Sequence, residues 1–181
     1  MYFKFNVNIS ESDYIEFNQF HSIRSHYGRK QLATARVTIT VIMCIFVFII
    51  LLSGGFSLTA SIETIPVLIL ILIFNLILPR FTSYSIKNSI IALKKNGKLG
   101  YSPSAVLEFF DDRLIETTDI NRTEMLYSGV EKVCIADNHM IYFYTSSSMA
   151  YILPFASFES KEQFDCFMDF IKVKFSIIEV Y

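Results

Sequence analysis

The most prominent pattern in the chain is a pair of aliphatic runs near its middle. Residues 37–78 carry one formal charge, Glu63, and the two runs are separated by Ser53-Gly54-Gly55-Phe56-Ser57. Neither run has the polar stripe at helical spacing that a surface helix of a soluble protein shows. At about 1.5 Å per helical residue, each run approaches the length that crosses a hydrocarbon core about 30 Å thick. We therefore expect a transmembrane hairpin with spans at about residues 35–53 and 60–78. The alternatives are a re-entrant or interfacial hairpin and a pair of core helices.

Both flanks of the hairpin contain periodic elements. Residues 3–9 alternate between apolar and polar side chains, which predicts a strand. Ser10 is followed three residues later by Asp13, an arrangement that resembles a capping box and predicts the start of a helix. Residues 83–96 repeat apolar side chains at helical spacing and are followed by Gly97, so we expect a further helix close to the bilayer.

From residue 101 onward the periodicity is that of strands. We expect strands at residues 105–110, 114–118, 125–136, 140–144 and 149–153, with a bend at Gly129 and a hairpin turn at Asp137-Asn138. An amphipathic helix follows, with Ser160 as its N-cap and Gln163 at its third position. Antiparallel strands followed by one helix are the order found in PH-like domains, and the helix would cover an open side of the sheet.

Composition supports this division of the chain. The 181 residues are 52% hydrophobic with a mean hydropathy of +0.43, and the excess is concentrated in the hairpin. We predict a cytoplasmic strand and helix at 1–36, the hairpin at 37–78, a basic juxtamembrane helix at 79–99 and a folded domain at 100–181. The expected fold class is a membrane α-helical hairpin plus α+β: a PH-like antiparallel β domain capped by a C-terminal amphipathic helix.

Charge is distributed unevenly and predicts the orientation. Basic residues flank both ends of the hairpin, whereas the connecting loop has none, so both termini should lie in the cytoplasm of a multi-pass cell-membrane protein. The candidate contacts with the membrane surface are Arg80, Lys87, Lys94, Lys95 and Lys98. Residues 100–181 contain thirteen Asp and Glu against six Lys and Arg, which argues against nucleic acid as a partner.

Three polar side chains within the hairpin are candidates for intramembrane packing. Asn75 lies about four residues from the cytoplasmic end of the second span, at the depth of Thr38 and Thr40 in an antiparallel first span. A hydrogen bond across the hairpin would satisfy the Asn75 amide. The alternative is that Asn75 mediates self-association, which would make the protein a homo-oligomer.

The sequence offers little sign of catalytic chemistry. Cys44, Cys134 and Cys166 show no metal-binding or redox spacing, and we expect them to be buried and inert. The histidines do not share a helical face, and no nucleophile, phosphate or dinucleotide motif occurs. Asp111-Asp112 is expected to be a solvated turn. We therefore predict no catalytic residues, no metal, no cofactor and no enzymatic activity.

Several short motifs resemble those of the YcxB-like bacterial membrane proteins. They are residues 9–17 (ISESDYIEF), the central hairpin, residues 107–112 (LEFFDD), residues 130–133 (VEKV), residues 152–154 (ILP) and residues 158–164 (FESKEQF). The family tends to have Trp at the position of Tyr127 and a basic residue at the position of Phe155. The resemblance implies a two-span protein with a PH-like cytoplasmic domain and supplies no activity.

Three functions are compatible with these features. The leading one is a membrane-anchored noncatalytic interaction or regulatory protein that binds a protein partner in the cytoplasm or membrane through the PH-like domain. Exposed aromatic residues of its strands are the candidate partner surface: Tyr142, Tyr144 and Tyr151. The second is inner-leaflet lipid-headgroup binding by the basic juxtamembrane region. The third is a membrane-located immunity or stress protein.

Overall fold

The structure is a computed structural model that describes residues 2–53, 58–97, 100–136, 139–147 and 149–181. The chain divides into two compact units. The sheet unit consists of Met1–Phe17 and Leu93–Tyr181, and the helical unit consists of Asn18–Ala92. The sheet unit is thus built from two separate parts of the sequence.

Helix α1 (Glu11–Gln19) begins at the predicted capping box. The Asp13 N–H donates to Ser10 Oγ at 3.2 Å, and the Ser10 N–H donates to Asp13 Oδ2 at 2.8 Å. One π-helical turn, Phe20–Arg24, follows α1, and Ser25 then starts a new helix. The buried Ser25 hydroxyl accepts from the Gly28 N–H at 3.0 Å and donates to the His21 carbonyl at 2.5 Å, so it links the turn to the helix.

Helices α2 (His26–Ser53) and α3 (Leu58–Lys95) carry the two aliphatic runs. By length and composition, the described part of the chain has two helices capable of crossing a membrane, at His26–Ser53 and Thr64–Lys95. α3 passes through Pro66 and Pro79 without a break. The separate helix predicted for residues 83–96 is therefore wrong: its residues are helical, but they form the last part of α3.

The first sheet of the sheet unit is antiparallel, in the order β1-β2-β3-β4. Its strands are β1 (Phe3–Asn8), β2 (Ser104–Phe109), β3 (Arg113–Thr118) and β4 (Arg122–Leu126). β1 pairs along its whole length with β2, from Phe3 opposite Phe109 to Asn8 opposite Ser104. The N-terminal strand of the sequence therefore belongs to the C-terminal domain.

The second sheet has the order β7-β6-β5-β8. It contains β5 (Lys132–Ala136), β6 (Met140–Tyr144), β7 (Ala150–Pro154) and β8 (Ile178–Val180). β5, β6 and β7 are antiparallel neighbours, whereas β8 pairs with β5 in parallel. The predicted turn residues Asp137-Asn138 lie outside the described residues, although the strands that they connect do pair.

Helix α4 (Lys161–Lys174) closes the core of the sheet unit. Ser160 is its N-cap, and the Ser160 hydroxyl accepts from the Gln163 N–H at 3.2 Å, as predicted. Phe167 is fully buried, and its ring lies 4.9 to 5.0 Å from the rings of Phe3, Phe5 and Phe109. The ring centroid of Phe167 is also 6.4 Å from that of Phe143 in the second sheet, so α4 packs against both sheets.

Two strand predictions need correction. The long strand predicted for residues 125–136 is two strands, β4 and β5, separated by the 3-10 turn Tyr127–Gly129. These strands lie in different sheets, so the turn moves the chain from one sheet to the other. The short strand β8 after α4 was not predicted at all.

Candidate functional site: a cleft between the two sheets

A cleft of about 610 Å³ lies between the two sheets of the sheet unit. The floor of the cleft lies where the side chains that point between the sheets are smaller than those at the closed end. At the closed end, Phe3, Phe109 and Leu114 form one cross-strand row, whereas Val7, Ala105 and Thr118 form the corresponding row near the cleft. Smaller side chains leave the space between the sheets unfilled. The lining is mostly apolar and includes Val7, Ile9, Leu107, Met125, Met149 and Ile152.

Glu116 is the only formally charged side chain among the described residues that line the cleft. It lies on β3, two residues after the fully buried Leu114, and pairs across the sheet with Leu107 and Thr123. This spacing places Glu116 on the inward face of the sheet. Burial raises the pKa of Glu116 above its ordinary value. Within the described part of the chain, no hydrogen bond or ion pair reaches its carboxylate.

Phe17 and three tyrosines form the aromatic part of the lining. The rings of Tyr14 and Tyr101 are stacked, with centroids 4.5 Å apart. Gly100 lies beside them, and a Cβ at Gly100 would be 2.7 Å from the Tyr14 hydroxyl oxygen. Tyr151 comes from β7 of the second sheet. Burial raises the pKa of Tyr151, and the charge of the nearby Glu116 raises it further. Aromatic faces and one carboxylate therefore share a single apolar space.

Exposed apolar side chains stand at the rim of the cleft. Ile120, in the connection between β3 and β4, is 92% exposed, and Met149, just before β7, is 66% exposed. Because Ile120 is almost fully exposed, it contributes nothing to the hydrophobic core. Exposed apolar side chains next to a cavity are typical of binding sites.

The predicted partner surface is wrong for two of its three tyrosines. Tyr142 and Tyr144 are fully buried, because Phe17 of α1 covers the face of β6 on which they lie. The Phe17 ring is 5.2 Å from the Tyr142 ring and 6.2 Å from the Tyr144 ring. Burial also raises the pKa of the Tyr144 hydroxyl. Tyr151 lies on the opposite face of the sheet and is half-buried in the cleft.

The predicted membrane-surface cations lie on the C-terminal part of α3. Arg80, Lys87, Lys94 and Lys95 are all exposed, whereas Lys98 lies outside the described residues. Arg80, Lys87 and Lys94 are seven residues apart, which places them along one side of the helix. Lys94 forms an ion pair with Glu11. The exposed Tyr84 lies on the same side as Arg80 and Lys87.

The structure brings two of the three predicted intramembrane polar residues together. Asn75 Nδ2 donates to Thr40 Oγ1 at 3.3 Å and to the Ile71 carbonyl at 2.8 Å. Thr38 is exposed on α2. The polar contact between α2 and α3 therefore uses Thr40, one half-turn further along the helix than Thr38.

A second polar cluster fixes β8 to the second sheet. Glu179 accepts from Lys132 at 2.8 Å and from the Tyr181 hydroxyl at 2.7 Å, and Cys134 lies 3.4 Å from the same oxygen. Burial raises the pKa of the Cys134 thiol to about 12, which keeps it protonated. The prediction of a buried thiol fails for Cys166, which is exposed on α4, and Cys44 is exposed on the surface of the apolar helix α2. Among the described residues, no group of three or more potential ligands is arranged to hold a metal.

Glu116 was missed by sequence reasoning, although a signal was present. In the strand Arg113–Thr118, Leu114 and Glu116 have the same parity, so a strand with Leu114 inward must also turn Glu116 inward. Its neighbour Ile115 is buried too, which hides the alternation. The cleft itself has no signal in the sequence, because its walls come from five separate segments.

Taken together, these elements define an α+β domain of two sheets and a closing helix, carried by a chain with two long apolar helices. Residues 109–171 match the family model described as YcxB-like protein, from the end of β2 to Ile171 of α4. The chain therefore contains a YcxB-like domain, as the sequence motifs suggested, and Glu116 and Tyr151 lie within it. No curated protein and no solved structure matches the chain significantly.

Proposed function

We propose that the protein is a membrane-anchored, noncatalytic binding protein that presents a PH-like domain to the cytoplasm. The observation that carries this proposal is the exposure of the aliphatic side chains on α2 and α3. Leu72 is 62% exposed and Leu76 is 67% exposed, and similar residues continue along both helices. Monomeric soluble proteins rarely expose apolar patches larger than a few hundred Å². A hydrocarbon environment is the natural surrounding for such a surface.

The topology of the sheet unit supports the PH-like assignment. Four antiparallel strands are followed by three more in a second sheet, and one amphipathic helix packs against both. PH-like domains have this order of strands and helix. Such domains bind partners through their loops and open sheet edges, and in this protein the cleft between the sheets is an opening with aromatic and polar side chains in its lining.

The basic residues on both flanks support a cytoplasmic location for the sheet unit. Arg80, Lys87 and Lys95 are exposed beyond the apolar part of α3, and Arg24 and Arg29 lie near the start of α2. An excess of basic residues beside a span favours the cytoplasmic side. Both parts of the sheet unit would then lie in one compartment, which their pairing through β1 and β2 requires.

Cysteine labelling of intact and opened cells tests the anchor and the orientation. Cys166 is exposed on α4, so in the variant Cys44→Ser/Cys134→Ser a membrane-impermeant maleimide should label it only after the inner face is opened. The matched variant Cys134→Ser/Cys166→Ser keeps Cys44 within α2, where hydrocarbon should protect it in both conditions. Labelling of Cys166 in intact cells, or release of the protein by alkaline carbonate, contradicts the proposal.

Photo-crosslinking at the rim of the cleft tests the binding role. A photoreactive amino acid at Ile120 should capture a ligand or partner in living cells, because this side chain is almost fully exposed beside the cleft. The control position is Val173 on α4, which is 81% exposed and is not part of the cleft lining. Equal capture from both positions, or no capture from Ile120, contradicts binding at the cleft.

A second function, binding of anionic inner-leaflet lipids, has support from one observation. Arg80, Lys87 and Tyr84 lie on one side of α3 with no described acidic partner, while Lys94 is already paired with Glu11. Each basic residue near an anionic surface contributes about 1 kcal/mol at moderate salt. The detergent-solubilised protein should bind phosphoinositide-free anionic vesicles, and Arg80→Gln/Lys87→Gln should weaken this binding. Binding that disappears at higher salt in both proteins alike indicates nonspecific attraction.

A further inference from the structure

We infer that the cleft between the sheets binds a small organic cation, an ammonium group attached to an apolar aryl or alkyl body. This inference rests on the proposed binding role of the cleft and names the chemical class of its ligand. It does not depend on the membrane anchor.

The charge of the cleft is the first argument. Glu116 lies on an inward sheet position and is partly buried, and a carboxylate that is withdrawn from water favours a cation or hydrogen-bond donors beside it. Among the described lining residues there is no Lys or Arg, and nothing described donates a hydrogen bond to Glu116. A cationic ligand in the cleft would supply the complementary charge. Stabilisation alone does not explain a carboxylate here, because an apolar or amide side chain would fill the position at lower cost.

The aromatic lining is the second argument. Tyr151 approaches Glu116 from the opposite sheet, and the stacked pair of Tyr14 and Tyr101 forms another wall. Aromatic faces attract cations through the negative potential of the ring, and ammonium groups are the usual ligands of such sites. One carboxylate and several aromatic rings are thus the set of groups that an organic ammonium requires.

The size and the remaining lining select an organic rather than a metal cation. A volume of about 610 Å³ lies within the range of small-molecule sites, roughly 300 to 1,000 Å³. Leu107, Ile152 and Met125 offer apolar surface to the body of the ligand. A divalent metal would need several oxygen ligands close together, whereas Glu116 is the single carboxylate among the lining residues that the structure describes.

Methyl-labelled methionine provides a site-resolved assay for the full chain in lipid nanodiscs. Met125 and Met149 line the cleft, whereas Met168 on α4 and Met43 on α2 do not and act as internal controls. The probe is phenethylammonium chloride, and its uncharged counterpart is 2-phenylethanol. The ammonium probe should shift the Met125 and Met149 signals saturably and should bind about tenfold or more tightly than the alcohol.

Two variants separate recognition of charge from simple filling of an apolar space. Glu116→Gln keeps the shape and removes the charge, so its affinity for phenethylammonium should fall to that for 2-phenylethanol. Tyr151→Leu should weaken binding of the ammonium more than binding of the alcohol. Unchanged signals of Met168 in each variant verify that the domain is folded.

The outcomes distinguish this inference from the proposed function. Equal affinities of the two probes, or undiminished ammonium binding by Glu116→Gln, overturn the organic-cation site. If Ile120 captures a protein in cells while phenethylammonium leaves Met125 and Met149 unshifted, the cleft is a protein-docking site, and only the proposed function survives. If the ammonium binds but Cys166 is labelled in intact cells, the proposed orientation fails and the cation site stands.

Discussion

The hydrogen bond between Asn75 and Thr40 should stabilise the pairing of α2 with α3. Replacing Asn75 by Leu removes the amide that donates to Thr40 Oγ1, and replacing Thr40 by Val removes the acceptor with little change of shape. The second bond of Asn75, to the Ile71 carbonyl, lies within α3 and is lost only with Asn75. A double-mutant cycle therefore isolates the interhelical bond from the intrahelical one.

The expected magnitude is small and can be estimated from the geometry. Polar side-chain bonds between helices in membranes average about 0.6 kcal/mol and reach about 1.7 kcal/mol. The 3.3 Å separation between Asn75 Nδ2 and Thr40 Oγ1 is slightly longer than is usual for an N–H donor and an oxygen acceptor, which favours the lower of these energies. We expect a coupling energy of about 0.5 to 1 kcal/mol between the two positions.

The assay is reversible unfolding of the full chain in lipid bicelles for the wild type, both single variants and the double variant. Thr38→Val is the matched control: it makes the same chemical change on the same helix, two residues away, where the side chain is exposed. This control should have little effect. The yield of cross-linked oligomers is measured on the same samples.

Three results would refute this reasoning. Zero coupling, with Thr38→Val as costly as Thr40→Val, would show that the bond contributes nothing to pairing within one chain. A large loss of cross-linked oligomer in Asn75→Leu, without a change in unfolding, would assign Asn75 to self-association instead. If both stability and oligomer yield are unchanged, Asn75 has neither role.

Three further changes test the packing described above. Phe167→Ala should destabilise the sheet unit by about 3 to 5 kcal/mol, whereas Val173→Ala on the exposed side of α4 should change it by less than about 0.5 kcal/mol in chemical denaturation; similar values would mean that α4 does not pack on the sheets. Burial opposes ionisation of Glu179, but hydrogen bonds from Lys132 and other donors outweigh this effect and lower the pKa of Glu179. The stability that the ionised Glu179 contributes is therefore present at neutral pH and is lost as the pH falls below the ordinary range of glutamate. Thermal midpoints at pH 7 and about pH 3 should therefore differ less in Glu179→Gln than in the wild type, and an identical difference contradicts the ion pair. Gly28→Ala normally favours a helix, yet a Cβ at Gly28 would lie 2.4 Å from the His21 carbonyl oxygen, so we expect a loss of about 1 to 3 kcal/mol in thermal unfolding; a stabilised variant would disprove this close approach.

Features that depend on neighbouring residues were predictable from the sequence. The two apolar helices follow from long runs without polar interruption, and the starts of α1 and α4 follow from Ser10 with Asp13 and from Ser160 with Gln163. Each of these signals is contained within a few residues, so tertiary contacts were not needed to read it. The same applies to β6, whose predicted ends at residues 140 and 144 are those of the structure.

Features that depend on distant residues were not predictable. β8 has three residues and forms only by pairing with β5, more than forty residues earlier. Tyr142 and Tyr144 looked exposed by alternation, but Phe17, from the far end of the sequence, covers them. Gly129 predicted a bend in the β-rich run, but the passage of the chain from one sheet to the other at Tyr127–Gly129 follows from the two-sheet arrangement. The cleft was likewise not predictable, because Tyr14 and Glu116 line the same cavity only in the folded domain.

The pairing of β1 with β2 has a consequence for the biosynthesis of the protein. Phe3 can pair with Phe109 only after the ribosome has added about a hundred more residues. At ordinary rates of translation this takes about 5 to 20 s. During that interval the nascent β1 exposes Phe3, Phe5 and Val7 without a partner strand. A chaperone that shields this segment would prevent it from pairing with the β2 of another copy, an exchange that would yield a domain-swapped dimer. The time that β1 spends without its partner strand during synthesis therefore affects the yield of correctly folded monomer, independently of the stability of the final sheet.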